Sequence, residues 1–188
     1  MSDTVKEINL LARELKSHLK QFPNFPKEGI LFEDFLPIFT KPELFNKLIT
    51  AFKLHLGDKK IDYVIGLESR GFLFGPTLAL ALNAGFVPIR KPGKLPGPTY
   101  SVEFKKEYGS DVFELQKDVI PKGSKVIIVD DILATGGSAY GAGELALQTG
   151  ADILQFLFVM ELDFLKGRDR LQAPAFTLFA GQEEQYKD

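Results

Sequence analysis

Apolar residues at the start of the chain recur every three or four positions, with charged residues between them. Within residues 1–20 they are Val5, Ile8, Leu11 or Ala12, Leu15 and Leu19. This spacing gathers them on one face and predicts an amphipathic helix. The same spacing returns over Pro42–Leu56, and Gly57 offers that second helix a stop. Between the two helices, the prolines of Phe22–Pro37 exclude a regular helix and predict an extended, packed loop.

Beyond Gly57, short β-rich runs alternate with runs of helical spacing. The strand-like runs are Tyr63–Gly66, Phe86–Arg90, Lys125–Val129 and Ile153–Met160, and the helical runs are Phe74–Asn83 and Ala139–Thr149. Such alternation is typical of a parallel sheet with helices on its faces. The run VIIV at 126–129 is apolar throughout, as expected of a strand covered on both faces. The predicted fold class is therefore α/β, with a central, mostly parallel sheet flanked by helices.

One long stretch, Lys91–Gly123, interrupts this alternation. It is rich in Gly, Pro, Lys and Glu and contains two short alternating runs, Thr99–Phe104 and Val112–Gln116. Two such runs joined by a polar segment predict a β-hairpin. We expect its tip to be mobile and place the flexible loop at about residues 94–118.

The composition indicates one domain without a global charge field. A chain of 188 residues, 45% of them hydrophobic, can bury one core but is short for two, so we expect a single domain over residues 1–188. A net charge of −2 provides no basic field for nucleic acid or an anionic membrane. The absence of cysteine excludes disulfides and thiolate zinc sites. No apolar run approaches the roughly 20 residues of a membrane span, so we expect a cytoplasmic protein.

The most informative segment is Val126–Ala139, VIIVDDILATGGSA, where a buried strand ends in two aspartates and a loop of small residues leads into a helix. In open α/β sheets, ligands bind beyond the carboxyl ends of the strands. The loop Thr135–Ser138 offers backbone N–H groups and two hydroxyls at a helix N-terminus, which favours a phosphate. Asp130 and Asp131 only accept hydrogen bonds when ionised, so they suit sugar hydroxyls or a magnesium shell.

This loop matches neither of the two commonest phosphate-binding patterns. It lacks the Gly-Lys-Ser/Thr of a Walker loop and the three spaced glycines of a dinucleotide fingerprint. From these residues alone, the alternative is a Gly-rich turn capped by two aspartates that binds no ligand.

Two sets of polar residues follow other predicted strands. In YVIGLESRG, the strand runs into Glu68, Ser69 and Arg70, and the planar guanidinium of Arg70 can clamp a pyrophosphate. The set after the next strand is Arg90, Lys91 and Lys94. From the residues alone, ordinary solvated surface charge is the alternative for both sets.

The stretch Phe22–Phe35, FPNFPKEGILFEDF, combines an extended backbone with large apolar side chains. Such a segment can stack on a flat heteroaromatic ring and offer main-chain groups to its edge. Packing of the phenylalanines in the core is the alternative.

Four of these segments resemble those of known enzymes. VIIVDDILATGGSA resembles the phosphoribosyl pyrophosphate motif of the type I phosphoribosyltransferases, with Ser138 where relatives often have Thr. GLESRGFLFGP, RKPGKLPGPTYSVEF with the later EYG, and FPxFPxxGILFxD resemble three segments of the adenine phosphoribosyltransferases. These are, in turn, the pyrophosphate loop, the flexible hood and the adenine-recognition stretch. The resemblance spans residues 22–139 and implies the type I phosphoribosyltransferase fold, with an N-terminal hood segment of about 1–37.

The resemblance also implies a set of binding residues. For the ribose 5-phosphate they are Asp130, Asp131, Ala134, Thr135, Gly136, Gly137 and Ser138. For the pyrophosphate they are Glu68, Ser69, Arg70, Arg90, Lys91 and Lys94, with an unusual peptide geometry near Glu68 and Ser69. For adenine they are Leu31, Phe32, Glu33 and Ile132, with Leu31 and Glu33 acting through the backbone.

The catalytic residues implied by the resemblance are Arg70 and Glu107. Glu107, followed by Tyr108, is the candidate that exchanges a proton with the purine. The residues Phe104, Lys105 and Lys106 lengthen the stretch before it relative to some relatives, which leaves Glu103 as a rival.

The implied activity is the transfer of phosphoribosyl from phosphoribosyl pyrophosphate to adenine, giving AMP and pyrophosphate. It implies Mg²⁺ carried mainly by the substrate, with Asp130 in indirect contact, and a homodimer without a nucleic-acid or membrane partner. Three alternatives stay open: a phosphoribosyltransferase for hypoxanthine, guanine, xanthine or orotate, a regulator that binds phosphoribosyl pyrophosphate without catalysis, and an inactive relative.

Overall fold

In the computed structural model, which describes residues 2–25, 28, 31–105 and 109–180, the chain divides into two units at Gly57. The first unit contains helix α1 (Asp3–Lys16) and helix α2 (Pro42–Leu56), which pack on each other. An ion pair between Glu14 and Lys47 joins the two helices. Both predicted helices are confirmed. The prediction of a single domain over residues 1–188 stays a prediction.

The limits of both helices follow from local chemistry. The Ser2 hydroxyl accepts a hydrogen bond from the Val5 N–H and starts α1. The buried side chains of α1 are Ile8 and Leu15, whereas Val5 is 41% exposed. Leu19 lies beyond the end of α1, so the apolar spacing predicted a helix one turn too long. Helix α2 ends at Gly57, whose φ of +59° is a conformation that favours glycine.

The extended backbone predicted for Phe22–Pro37 is present, but part of it forms two paired strands where a loop was predicted. Strands β1 (Lys20–Pro23) and β2 (Leu31–Asp34) form an antiparallel pair in which Phe22 lies opposite Phe32. A 3-10 helix over Leu36–Thr40 follows. Proline is tolerated because Pro23 occupies the last position of a strand in a two-stranded sheet. Residues 26, 27, 29 and 30 of this stretch lie outside the described residues.

The second unit is built on a parallel five-stranded sheet in the order β4-β3-β7-β8-β9. Its strands are β3 (Tyr63–Leu67), β4 (Gly85–Ile89), β7 (Lys125–Leu133), β8 (Asp152–Glu161) and β9 (Ala175–Ala180). Helices α3 (Gly75–Ala81) and α4 (Gly137–Gln148) flank it. The α/β fold with a mostly parallel sheet is confirmed, and β9 is a strand that the hydrophobic pattern did not predict.

The central strand β7 carries the site, and its environment matches the prediction. All four residues of 126–129 are fully buried because β7 has a neighbouring strand on each side and helix α4 against it. Burial of such a run is the main stabilising contribution to a sheet core. Residues 130–139 therefore extend from a rigid base.

The predicted hairpin is also present. Strands β5 (Thr99–Lys105) and β6 (Ser110–Gln116) pair antiparallel, with Thr99 opposite Gln116. The rings of Phe104 and Phe113 pack with centroids 4.6 Å apart. The hairpin tip, residues 106–108, lies outside the described residues, and with it the predicted mobility. Across the ranges that are described, no helix has the length and apolar character that crossing a bilayer demands.

Candidate active site

Residues from two neighbouring strand ends line one cavity. Strands β3 and β7 are adjacent and parallel, so the loops after them meet at the same edge of the sheet. The cavity, of about 230 Å³, is lined by residues 68–70 and 130–139. It brings together all the residues predicted for the ribose 5-phosphate, together with Glu68, Ser69, Arg70 and Ile132.

The loop after β7 has the geometry of an anion site. Helix α4 begins at Gly137, so residues 135–138 lie at its N-terminus, where backbone N–H groups lack helical partners. Gly136 has a φ of +78°, which an L side chain rarely adopts. A Cβ at Gly136 would also lie 2.4 Å from the carbonyl oxygen of Gly167. Glycine at this position lets the backbone approach an anion, and the tight packing against Gly167 is a second reason for it.

Arg70 and Asp131 form an ion pair across the cavity. An Arg70 guanidinium nitrogen (NH1) lies 2.9 Å from Asp131 Oδ2. The Asp131 side chain is 4% exposed and that of Arg70 is 45% exposed. One oxygen of Asp131 pairs with Arg70, because burying a carboxylate without a cationic partner is costly. The predicted contact of Asp131 with ribose hydroxyls stays a prediction. Arg70 therefore reaches from the pyrophosphate loop to the acidic end of β7.

Asp130 is the more perturbed of the two adjacent aspartates. Burial and the neighbouring Asp131 carboxylate raise the pKa of Asp130 well above its ordinary value of 3.8. Its Oδ1 accepts a hydrogen bond from the Asp131 N–H at 2.9 Å. Burial also raises the pKa of Asp131, although Arg70 opposes that shift. Burial therefore makes ionisation of both carboxylates unfavourable, and hydrogen bonds from a polar ligand would reduce that cost.

Replacing Asp130 with Asn is expected to raise the thermal midpoint at pH 7 while it lowers kcat/KM. Because the pKa of Asp130 is higher in the folded protein, folding takes up protons between pH 3.8 and that raised value, and stability falls as the pH rises through this window. The neutral Asn side chain has no charge to bury and so avoids this loss of stability. Its Oδ1 can still accept the hydrogen bond from the Asp131 N–H. Losing a charged acceptor for substrate hydroxyls should lower kcat/KM about 10- to 100-fold.

Thermal unfolding of both proteins between pH 3.5 and 8 tests this expectation. The gain in stability should shrink as the pH falls and disappear near the ordinary pKa of an aspartate, 3.8. A gain that is independent of pH would contradict titration of Asp130 as its cause.

Glu68 binds Arg90 with both carboxylate oxygens. Arg90 Nε and NH2 each lie 3.2 Å from a Glu68 oxygen, and the Lys91 N–H donates to the same carboxylate at 2.8 Å. The hydrogen bond from Arg90 is the largest cause that lowers the pKa of Glu68. The Glu68 side chain thereby orients Arg90. The contact of Glu68 with pyrophosphate stays a prediction.

The expected unusual peptide geometry is confirmed, since the bond between Glu68 and Ser69 is cis. The other three predicted cations, Arg90, Lys91 and Lys94, follow β4 and do not line the cavity. Lys91 Nζ is 3.6 Å from Asp111 Oδ2, and Lys94 is exposed. Their contact with pyrophosphate stays a prediction.

The residues predicted for adenine fall in both units. Leu31, Phe32 and Glu33 belong to β2 of the first unit, and Ile132 lines the cavity of the second. Phe32 packs edge-on against Phe25, with ring centroids 5.1 Å apart. The Glu33 side chain accepts a hydrogen bond from Gln21 at 3.1 Å. The contact of its backbone with a base stays a prediction.

Of the two candidates for proton transfer, only Glu103 lies within the described residues. Glu107 and Tyr108 lie outside the described residues. Glu103 is exposed on β5, opposite Val112.

Sequence reasoning missed the segment Gly167–Arg170, which packs against the phosphate loop, residues 134–138. Gly167 packs against Ala134 and Gly136, and Arg170 donates a hydrogen bond to the Thr135 carbonyl oxygen at 3.3 Å. The segment is preceded by β8 and followed by β9, so only the sheet topology brings it to the loop. The closely spaced glycine and arginines of GRDR were the one local signal.

Comparison with known proteins agrees with this geometry. The family model described as a phosphoribosyl transferase domain matches residues 38–184. The adenine phosphoribosyltransferase of Candida albicans is 80% identical over 188 residues, which is the whole of both chains. Adenine phosphoribosyltransferase 1 of Saccharomyces cerevisiae is 67% identical over 180 residues, covering 94% of this chain and 96% of that one.

A solved structure of the Saccharomyces cerevisiae adenine phosphoribosyltransferase has the same fold. That protein is complexed with D-2,5-dideoxy-2,5-imino-altritol 1,6-bisphosphate and adenine. It superposes with a TM-score of 0.88 at 67% identity, over 90% of this chain and 99% of that chain. The strand-end cavity, the phosphate loop and these similarities together mean that this chain belongs to the phosphoribosyl transferase family, among the adenine phosphoribosyltransferases.

Proposed function

We propose that this chain transfers the phosphoribosyl group of phosphoribosyl pyrophosphate to adenine and releases AMP and pyrophosphate, a reaction of purine salvage. The observation that carries the proposal is the single cavity that joins an anion-binding helix N-terminus, two carboxylates and Arg70. A phosphorylated sugar bearing a diphosphate presents the complementary groups. The named relatives act on adenine, which supports that base as the acceptor.

In the proposed reaction the 5-phosphate binds the N–H groups of residues 135–138. The ribose hydroxyls face Asp130 and Asp131, where ionised carboxylates accept hydrogen bonds. The bond between C1 of the ribose and the pyrophosphate oxygen breaks, and its electron pair leaves with the pyrophosphate. N9 of adenine bonds to C1 in its place, and the proton of the adenine ring passes to Glu107, the predicted acceptor. Positive charge develops on the ribose as the bond breaks, and the two carboxylates stabilise it electrostatically.

The departing pyrophosphate requires cations. Arg70 is half-exposed and supplies a planar fork that matches two phosphate oxygens. Arg90 is oriented by Glu68, and Lys91 and Lys94 follow it on the same segment. Binding of the diphosphate competes with Asp131 for Arg70, so the ion pair positions that side chain until the substrate arrives.

Recognition of adenine is assigned to strand β2. Leu31 and Glu33 are two residues apart, so their backbone N–H and C=O groups point to the same edge of the strand. Within the described part of the chain, β2 pairs only with β1, and its other edge carries no strand. An edge of this kind can donate to a ring nitrogen and accept from the exocyclic amine. An oxo purine reverses these donors and acceptors and is rejected.

Magnesium is proposed to enter with the substrate. Among residues 2–25, 28, 31–105 and 109–180, no group of three His, Asp or Glu side chains is arranged to hold a metal ion. The available donors are Asp130 and the Asp131 carboxylate that pairs with Arg70, which fits an indirect contact from Asp130. Bound Mg²⁺ neutralises charge on the pyrophosphate.

A homodimer and a cytoplasmic location are proposed from the family resemblance. Sedimentation equilibrium of the purified chain distinguishes a monomer of 20.9 kDa from a dimer of twice that mass.

The proposed activity is tested by measuring nucleotide formation from phosphoribosyl pyrophosphate and magnesium with adenine. Parallel reactions contain hypoxanthine, guanine, xanthine or orotate. We expect adenine to exceed each other base by at least about 10³-fold in kcat/KM, because mismatched donors and acceptors in a closed site leave polar groups unpaired.

The outcomes of this assay test the choice of base and the presence of catalysis separately. Preference for another base would keep the phosphoribosyl chemistry and contradict the role of β2. Binding of phosphoribosyl pyrophosphate without turnover of any base would favour the regulator or the inactive relative.

A further inference from the structure

The segment Gly167–Arg170 packs against the phosphate loop, residues 134–138. A Cβ at Gly167 would lie 2.2 Å from the Ala134 carbonyl oxygen and 2.9 Å from the Gly136 nitrogen. These distances leave no room for a side chain, so the two backbones are in direct contact. Gly167 does not line the cavity itself.

This contact fixes the direction in which the peptide groups of the loop point. The Ala134 carbonyl faces Gly167, and the Thr135 carbonyl accepts a hydrogen bond from Arg170 at 3.3 Å. In a trans peptide the N–H points opposite to the carbonyl. The N–H groups of Thr135 and Gly136 therefore point away from these two carbonyl contacts, and both residues line the cavity.

Arg170 occupies a defined position beside the loop. Its guanidinium carbon lies 5.8 Å from the centre of the Tyr140 ring, on the first turn of α4. An Arg170 nitrogen would be 3.6 Å from a Cβ at Gly137, the residue at which α4 begins. The aromatic face and the Thr135 carbonyl together hold this exposed cation at the back of the loop.

A second arginine anchors the segment to the sheet. Arg168 donates to both oxygens of Glu161, whose side chain is 4% exposed, and to the Thr177 hydroxyl. Glu161 ends β8 and Thr177 lies in β9, so both anchors belong to the rigid sheet. The segment is thus fixed at one side by Arg168 and contacts the loop at the other.

From this arrangement we infer that Arg170 is a positioning residue for recognition of the 5-phosphate. It holds the Thr135 carbonyl so that the Gly136 N–H is aimed at the phosphate before the ligand binds. The inference rests on the proposed function, which places the phosphate at residues 135–138. Arg170 itself touches neither the cavity nor the reacting atoms.

Replacing Arg170 with Met tests the inference through two probes that occupy different ends of the site. Titration calorimetry should give an affinity for ribose 5-phosphate about tenfold weaker than that of the unmodified chain, which is the loss of one charge-assisted hydrogen bond. The affinity for pyrophosphate should change by less than about twofold. Arg170→Lys retains a cationic donor and should recover most of the lost affinity.

A matched control removes one positive charge from the opposite edge of the sheet. Lys59 is exposed and precedes β3, so Lys59→Met changes the net charge equally and should leave both affinities unaltered. Gly167→Ala pushes on the Ala134 carbonyl from the same side as Arg170 and should cause the same selective loss. It provides a second test if Arg170→Met proves unstable.

Two results would overturn the inference. One is an affinity of Arg170→Met for ribose 5-phosphate that equals that of the unmodified chain. The other is an equal loss for both probes, which indicates a general structural role. The unmodified chain is assayed with adenine in the same series, so failure of the proposed function appears there as absent turnover and is distinct from either result.

Discussion

Replacing Glu107 with Gln is expected to lower kcat by about 10²- to 10³-fold, the usual contribution of a general acid or base. The amide is isosteric with the carboxyl group but cannot exchange a proton with the purine. Adenine affinity should change by less than about threefold, because the proposed binding groups for adenine belong to the backbone of β2. Steady-state kinetics with both substrates, together with the equilibrium affinity for adenine, measure the two effects separately.

Glu103 provides the matched control for this experiment. It is a glutamate four residues earlier, exposed on β5 of the same hairpin, and Glu103→Gln makes the identical chemical change. We expect this variant to retain the kcat of the unmodified chain. Loss of turnover in Glu103→Gln with normal turnover in Glu107→Gln would exchange the two roles, and normal turnover in both would remove each from proton transfer.

Replacing Arg70 with Met is expected to lower kcat/KM by about 10³-fold, as removal of one charge-stabilising donor does in other enzymes. The same variant should unfold at a lower temperature, because it leaves the buried carboxylate of Asp131 without its cation. The pKa of Asp131 should rise further, since Arg70 lowers it in the native protein. Activity assays and thermal unfolding at pH 7 measure the two losses.

The double variant Arg70→Met with Asp131→Asn separates catalysis from stability. Removing both charges eliminates the unpaired carboxylate, so the thermal midpoint should recover. Activity should stay low, because neither the cation nor the ionised acceptor is present. Recovery of kcat/KM in the double variant would show that Arg70 acts only by neutralising Asp131. Arg70→Lys should retain part of the activity, since it keeps the charge but loses the bidentate fork.

The cations of the site are held by carboxylates. Arg70 pairs with Asp131, and Arg90 pairs with Glu68. Long cationic side chains lose conformational entropy when a ligand fixes them, and prior ion pairs reduce that loss.

Much of the fold could be predicted from the sequence, because its signals are local. The apolar run at 126–129 indicated a buried strand, and the glycines of TGGS marked a loop that opens a helix. The predicted limits of helix α2 match the observed ones, because its apolar spacing and the terminating Gly57 lie within one short segment. The order of strand and helix then implied a parallel sheet, and with it the strand edge at which ligands bind.

The sequence by itself thus determined the fold class, the position of the phosphate loop and the residue types of the site. Only the tertiary structure paired β1 with β2, added β9 to the sheet, joined Arg70 to Asp131 and brought Gly167 and Arg170 behind the loop. Periodicity and turn chemistry act between near neighbours in the chain, and so they are readable from the sequence. The last three contacts join residues far apart in sequence, and their partners are selected by the packing of the main sheet. Strands β1 and β2 are close in sequence, but the prolines of this stretch concealed their pairing.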